Sequence, residues 1–128
     1  MSVGYLACSF DMLNVRDLEL IAQARALCTR LVAGVFSDEF ITDVYGRAPL
    51  VPLHDRVALL SHIRGVDEVV VHSGSEPAIG SDDTVLFCVS DDVVQVEGDY
   101  VITLVPNRET SSRLLQNALN PLPRSAVA

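Results

Sequence analysis

The sequence predicts an α/β fold in which one five-stranded, mostly parallel sheet is flanked by helices. Short apolar segments of strand length alternate with longer segments whose apolar residues recur at helical spacing. Several of the strand-length segments run into polar turns, as expected where helical crossovers join parallel strands. With 128 residues, 49% of them hydrophobic and 20% charged, the chain suits a single globular domain with a real core.

The first part of the chain predicts strand, helix and strand in that order. Val3–Phe10 is a nearly continuous apolar run, which is typical of a strand covered on both faces. Leu18–Leu27 carries two overlapping apolar stripes, so we predict a broadly buried helix there. Arg30–Phe36 is the second predicted strand, and it runs directly into the polar turn Ser37-Asp38-Glu39.

The remaining elements are predicted from breakers and from apolar runs. Gly46 and Pro49 interrupt residues 41–51, so we predict a loop there. After it we predict a helix over Leu53–Arg64, with Pro52 before it and Gly65 as its C-cap. The three strands that follow are predicted over Asp67–His72, Thr84–Ser90 and Tyr100–Val105. A last helix is predicted over Thr110–Asn120. Pro121 then stops the last helix.

The composition argues against several classes of function. A net charge of −8 and a pI of about 4.6 make the chain a poor candidate for binding nucleic-acid phosphates. No apolar run reaches the roughly 18 residues that a membrane span requires, and the first residues lack a basic signal-peptide start. We therefore expect a cytoplasmic protein that binds neither nucleic acid nor membrane. A small anionic ligand is still compatible, because helix N-termini and arginines create local positive sites.

The cysteines and histidines predict no metal site. The cysteines are odd in number and lie far apart in apolar surroundings, so we expect all three to be buried and unpaired: Cys8, Cys28 and Cys88. The histidines lack the spacing of metal ligands, and we expect them on the surface or at helix ends: His54, His62 and His72.

The carboxyl ends of the predicted strands indicate where a ligand would bind, because parallel α/β sheets bind ligands at that edge. Four segments fall there: residues 8–17, 37–39, 90–92 and 106–112. In the first, Asn14 and Asp17 also have the spacing of a helix capping box, which is an alternative, purely structural role.

Three segments occur in order in the first 70 residues: Ser9-Phe10-Asp11-Met12-Leu13, Val32–Phe40 and Leu53–Val69. Together they resemble the cytidylyltransferase-like nucleotidyltransferase family, most nearly the glycerol-3-phosphate cytidylyltransferases. The resemblance implies a single Rossmann-like, nucleotide-binding domain over residues 1–120 and a tail over 121–128. It also implies nucleotidyl transfer from CTP or ATP to a phosphorylated alcohol, Mg²⁺ with a bound triphosphate, and the homodimer common in the family.

The catalytic motif of that family is altered in this sequence. Where the family has His-x-Gly-His, with both histidines on the α-phosphate, this chain has Asn14-Val15-Arg16-Asp17. Asn14 is a neutral donor, and an ionised Asp17 only accepts hydrogen bonds. Losing two preorganised donors costs on the order of 10⁴ in rate. We therefore expect impaired transfer and assign no catalytic residue.

The resemblance also implies a set of nucleotide-binding residues: Cys8, Ser9, Phe10, Asn14, Arg56, Asp91, Arg108, Thr110 and Ser111. Arg56 is expected either to bind phosphate or to be a solvent-facing partner of Asp55 or Glu39, and Thr110 also suits a helix N-cap. Three functions stay open: an active transferase, a binding protein without turnover, and a structural subunit with an apolar interface at Leu50–Leu53.

Overall fold

The structure, a computed structural model, describes residues 2–74, 84–92, 94 and 100–106. In chain order the elements are β1 (Val3–Cys8), α1 (Val15–Arg25), β2 (Arg30–Phe36), α2 (Asp38–Tyr45), α3 (Leu53–Leu60), β3 (Glu68–His72), β4 (Thr84–Val89) and β5 (Val101–Leu104). The strands form one sheet in the order β3-β2-β1-β4-β5, and each described pairing is parallel. The predicted Rossmann-like α/β fold is therefore confirmed.

The central strand β1 is buried on both faces, as its continuous apolar sequence predicts. Leu6 and Cys8 point into the apolar cluster that also contains residues of α1 and α3. Tyr5 and Ala7 point into a second cluster on the other face, which includes Ile41 of α2. This alternation places the carboxyl end of β1 between two helical layers.

The helix α2 is absent from the sequence prediction, which assigns residues 41–51 to a loop. Ser37 caps its start, where the hydroxyl Oγ accepts the Phe40 N–H at 3.0 Å. Gly46 ends it in the left-handed conformation, with φ of 77°. Both are ordinary boundary signals of a helix, and Gly46 marks its end rather than a loop interior.

Other element ends differ more modestly from the prediction. Helix α1 is less buried than predicted, because Leu18 is 42% exposed and Leu27, beyond its end, is 51% exposed. Helix α3 ends at Leu60 rather than Arg64, since the chain turns through residues 61–65. Strand β1 ends at Cys8 rather than Phe10. The helix predicted over residues 110–120 lies outside the described residues.

A polar pair on one face of the sheet links β1 to β3 across β2. The Tyr5 hydroxyl lies 2.7 Å from Nδ1 of His72. Gly34 of β2 makes room for it, because a Cβ there would overlap the Tyr5 hydroxyl. His72 is only 3% exposed and its ring packs against Phe36 and Phe40, which contradicts its predicted surface or helix-end position.

The three cysteines, all within the described residues, are buried as predicted, and no disulfide joins them. Among the described residues, no group of three His, Cys, Asp or Glu side chains could hold a metal ion. Within the same ranges, every helix is too short or too polar to cross a membrane.

Candidate functional site

The site lies at the carboxyl edge of the sheet, where the turn after β1, the start of α1 and the end of β4 meet. Cys8 marks the centre of this region and is 7% exposed. Burial raises the pKa of the Cys8 thiol, and the nearby carboxylates of Asp17 and Asp92 raise it further. The thiol is therefore neutral at physiological pH, and Cys8 packs in the core instead of presenting an anionic sulfur to a ligand.

The turn after β1 has an unusual backbone. Phe10 and Met12 have φ of 51° and 60°, in the left-handed region that side chains other than glycine rarely adopt. Asp11 holds the turn in place, because its carboxylate accepts the backbone N–H groups of Leu50 and Val51 at 3.0 and 2.8 Å. Phe10 is 4% exposed and belongs to the apolar core. The Phe10 side chain therefore packs in the core, and a contact of this residue with a nucleotide stays a prediction.

Asn14 and Asp17 form the capping box that the sequence predicts. Asn14 Oδ1 accepts the backbone N–H groups of Arg16 and Asp17 at 2.9 and 3.2 Å. In return, Asp17 Oδ2 accepts the Asn14 N–H at 3.2 Å. The side chains of Asn14 and Asp17 are thus both hydrogen-bonded within the first turn of α1.

The carboxyl group of Asp17 has an altered acidity. Burial raises its pKa from 3.8 to about 6, and the hydrogen bond from the Asn14 backbone together with the charge of Arg16 opposes part of this rise. Sequence reasoning did not anticipate this change. A carboxyl group that titrates this close to neutral pH is a frequent feature of ligand-binding and catalytic sites.

Arg16 links the start of α1 to the end of β4. Its Nη2 contacts both carboxylate oxygens of Asp91, with 2.6 Å to Oδ2. The side chains of Arg16 and Asp91 are 22% and 46% exposed. Arg16 Nε is buried and finds no hydrogen-bond acceptor in the described part of the chain. The predicted ligand residue Asp91 therefore does lie at this edge, where it is ion-paired to Arg16.

The structure contradicts one of the two predicted roles of Arg56, that of a solvent-facing ion-pair partner, and its role in phosphate binding stays a prediction. Its side chain is fully buried. Nε donates to the Val51 carbonyl at 2.8 Å, and Nη1 donates to the carbonyls of Ser9 and Phe36 at 2.8 and 2.7 Å. Nη2 pairs with Asp38 at the start of α2. Arg56 therefore joins the ends of β1 and β2 from inside the protein and does not face solvent.

One further residue at this edge, Tyr45, was missed because it fell in the predicted loop, whereas its partner Asp92 belongs to the segment 90–92 that was predicted to lie there. The Tyr45 hydroxyl donates to Asp92 Oδ1 at 2.7 Å. Burial raises the Tyr45 pKa, and the hydrogen bond to Asp92 raises it further. A helical interpretation of residues 38–45 from Ser37 and Gly46 would have placed Tyr45 near this edge.

The predicted ligand residues thus fall into three groups. Asn14 and Asp91 lie around the start of α1, where Asn14 serves as its N-cap and Asp91 pairs with Arg16, and Ser9 lies in the turn after β1, where its carbonyl accepts from Arg56. Three predicted residues point into the protein: Cys8, Phe10 and Arg56. The other predicted residues lie outside the described part of the chain: Arg108, Thr110 and Ser111.

Comparisons with known proteins identify relatives of this chain. A bifunctional protein HldE of Mesorhizobium japonicum is 32% identical over 89% of this chain. An ethanolamine-phosphate cytidylyltransferase of Arabidopsis thaliana is 41% identical over 52% of it. An FAD synthase of Pyrococcus abyssi is 28% identical over 88% of it. The alignments span 26%, 15% and 68% of these relatives, so the chain corresponds to only a part of the first two.

A solved structure with the same fold is the lipopolysaccharide core biosynthesis protein from Thermoplasma volcanium. It superposes with a TM-score of 0.64 and 19% identity, over 95% of this chain and 88% of that one. The Cytidylyltransferase-like family itself matches residues 5–120. The match spans most of the sequence and agrees with the parallel sheet. The chain therefore belongs to the cytidylyltransferase-like family.

Proposed function

We propose that this chain binds a nucleoside triphosphate, CTP or ATP, or a related small phosphorylated ligand at the carboxyl edge of β1 and β4. Membership of a nucleotidyltransferase family supports the class of ligand. Binding at this edge of the sheet is supported by its positive groups, because the N-terminus of α1 and the guanidinium of Arg16 both lie there. We propose that Mg²⁺ enters with the triphosphate, since it is ordinarily held by substrate phosphates and one or two carboxylates.

We further propose that nucleotidyl transfer is strongly impaired in this chain. The observation that carries this proposal is the capping box of Asn14 and Asp17. Both side chains stand where the family has histidines, and both are hydrogen-bonded within the first turn of α1. Each preorganised donor to a developing anion is worth about 10²–10³ in rate, so the loss of two is large. The Arabidopsis relative is named for ethanolamine phosphate, which supports a phosphorylated alcohol as the acceptor class.

Binding and turnover can be measured on the same protein. We expect CTP or ATP with Mg²⁺ to raise the melting temperature and to bind in calorimetry. Pyrophosphate release with ethanolamine phosphate or glycerol 3-phosphate should be slow. The triple variant Asn14→His, Arg16→Gly, Asp17→His restores the family motif and should release pyrophosphate about 10²–10⁴ times faster.

The control for the triple variant is Glu68→Gln, which changes an exposed charge on β3 and should leave release unchanged. If millimolar CTP and ATP leave both the melting temperature and the calorimetric baseline unmoved, the binding proposal is wrong. If the unmodified chain already turns over as fast as the triple variant, the proposal of impairment is wrong.

A second candidate function is that of a structural, partner-binding subunit, specifically a homodimer. One observation that favours it is that the hydrogen bonds of Arg56 are all made within the protein. The other is Leu50, which is 71% exposed while its backbone N–H is held by the Asp11 carboxylate. Light scattering after gel filtration should give twice the chain mass, and Leu50→Asp should give the monomer mass. A monomer at tens of micromolar would exclude this assembly. The absence of nucleic-acid binding stays a prediction based on the net charge of −8, and the cytoplasmic location stays a prediction from the sequence.

A further inference from the structure

We propose that Asp91 is an internal competitor of the phosphate ligand: its carboxylate occupies Arg16 until a ligand phosphate replaces it there. The inference rests on the proposed function and assigns Arg16 as the phosphate-recognition residue of this chain. It also assigns Asp91 a regulatory role, because the strength of the Arg16–Asp91 pair would set the affinity for ligand.

The position of the pair is the first argument. Arg16 lies in the first turn of α1, two residues after the N-cap Asn14, and Asp91 lies just beyond the end of β4. The ion pair therefore spans the carboxyl edge of the sheet near Cys8, and the charge of Arg16 opposes part of the rise in the pKa of the Cys8 thiol. A phosphate that approached the start of α1 would meet Arg16 together with the carboxylate already bound to it.

The geometry of the pair is the second argument. Asp91 engages a single nitrogen of Arg16, Nη2, with both of its oxygens. Arginine binds oxyanions most strongly through two nitrogens that donate in parallel. Here Nε is buried and has no acceptor among the described residues, which is a costly state for a donor. A phosphate that displaced Asp91 would offer three oxygens, so it could accept from Nη2 and, once the guanidinium turned to expose it, from Nε as well.

The exposure of the pair is the third argument. The Asp91 side chain is 46% exposed, so its carboxylate is rehydrated readily when it leaves Arg16. Ion pairs with this much solvent are weak and are screened by salt. Asp91 is thus a competitor that a triphosphate can displace, and it reduces the affinity without abolishing it.

Calorimetry on the full chain tests the proposal with three probes: CTP, ATP and inorganic tripolyphosphate, each with Mg²⁺. Asp91→Asn should bind all three about three- to tenfold more tightly than the unmodified chain. Arg16→Ala should bind them at least tenfold more weakly. An equal effect on tripolyphosphate identifies the phosphates, rather than the base, as the groups recognised. Glu68→Gln removes the matched exposed pair between Arg30 and Glu68 and should leave the affinities unchanged.

A double variant separates competition from a general loss of negative charge. In the Arg16→Ala background, Asp91→Asn should change the affinity less than twofold, because the competitor then has no cation to occupy. Simple repulsion between Asp91 and the ligand would instead give the same gain in both backgrounds, and that result would overturn the proposal.

The remaining outcomes are also distinguishable. If the unmodified chain binds nucleotide and Asp91→Asn binds it equally or more weakly, the competitor role is wrong and the proposed function stands. If neither protein binds any of the three probes, the proposed function fails and takes this inference with it. Asp91→Ser replaces the Asn variant should the latter lose its cooperative melting transition.

Discussion

Two arginines at the same edge of the sheet differ in burial and in the number of hydrogen bonds that they donate. Arg56 is completely buried and donates to three backbone carbonyls and one carboxylate. Arg16 is partly exposed, contacts one carboxylate through one nitrogen and keeps a buried Nε without an acceptor in the described residues. From the family resemblance, Arg56 was expected either to bind phosphate or to be a solvent-facing partner of Asp55 or Glu39.

The difference shows that the hydrogen-bond state of an arginine decides its role more directly than its position in a motif. The partners of Arg56 come from the turn after β1, from β2, from α2 and from the segment before α3, so its removal would loosen several elements at once. The partner of Arg16 is one exposed carboxylate, so Arg16 can exchange it for a ligand. We therefore expect Arg56 to matter for folding and Arg16 to matter for binding.

The largest expected effect tests this division directly. Arg56→Ala should lower the free energy of unfolding by about 3–5 kcal/mol, because buried carbonyl acceptors lose their donor. Arg16→Ala should lower it by less than about 1 kcal/mol, as for other solvent-accessible ion pairs. Urea denaturation of both variants gives the two values. Equal losses in the free energy of unfolding would mean that both arginines stabilise the fold to the same extent, and the proposed difference in their roles would then be wrong.

The next effect concerns the carboxyl group beside Arg16. The folded protein holds a proton on Asp17 up to about pH 6, whereas the ordinary pKa is 3.8. Protonation therefore favours the folded state, so this contribution is complete below about pH 3.8 and is lost as the pH rises through 6. Asp17→Asn should be more stable than the unmodified chain by about 1–2 kcal/mol at pH 7.

The difference between the two proteins should disappear near pH 3, where Asp17 is largely protonated in both the folded and the unfolded state. Thermal or urea unfolding at pH 3 and pH 7 provides the measurement, and the pH 3 value serves as the internal control. A constant difference at both pH values would mean that Asp17 titrates at its ordinary pKa.

The smallest changes in the free energy of unfolding are expected at the N-caps of α1 and α2, the helices that follow the neighbouring strands β1 and β2. Asn14→Ala removes the acceptor of two N–H groups and should cost about 1–2 kcal/mol of unfolding free energy. Ser37→Ala removes the acceptor of one and should cost about 1 kcal/mol or less. Asn14→Ser keeps a capping oxygen and should restore most of the loss. If Asn14→Ala is neutral, capping does not explain the residue.

The sheet could be predicted from the sequence because its pattern is local. The bounds of β2 agree with the prediction at Arg30 and Phe36, since the strand is continuously apolar between a charged residue and a polar turn. Helix α2 was missed because Gly46 and Pro49 outweighed the cap at Ser37. The position of His72 was also missed, because its burial depends on Tyr5, distant in sequence, and on the absence of a side chain at Gly34.

The site was predictable only in part, for a similar reason. The capping box of Asn14 and Asp17 follows from their spacing and was predicted correctly. The direction of the Arg56 side chain depends on carbonyls at the ends of β1 and β2, which no local pattern reveals. The pairing of Arg16 with Asp91 joins residues from opposite halves of the chain, and it too became visible only in the folded structure.

The hydroxyl of Tyr5 helps to fix the register of β2 relative to β1 and β3. Strands β1 and β3 are separated by β2, yet Tyr5 and His72 fix their relative position directly. If β2 slipped by two residues, which preserves its buried faces, Val32 or Phe36 would replace Gly34 under the Tyr5 hydroxyl. Neither side chain leaves room for it. One missing side chain thus makes the misaligned sheets sterically unfavourable, and the aligned one is selected during folding.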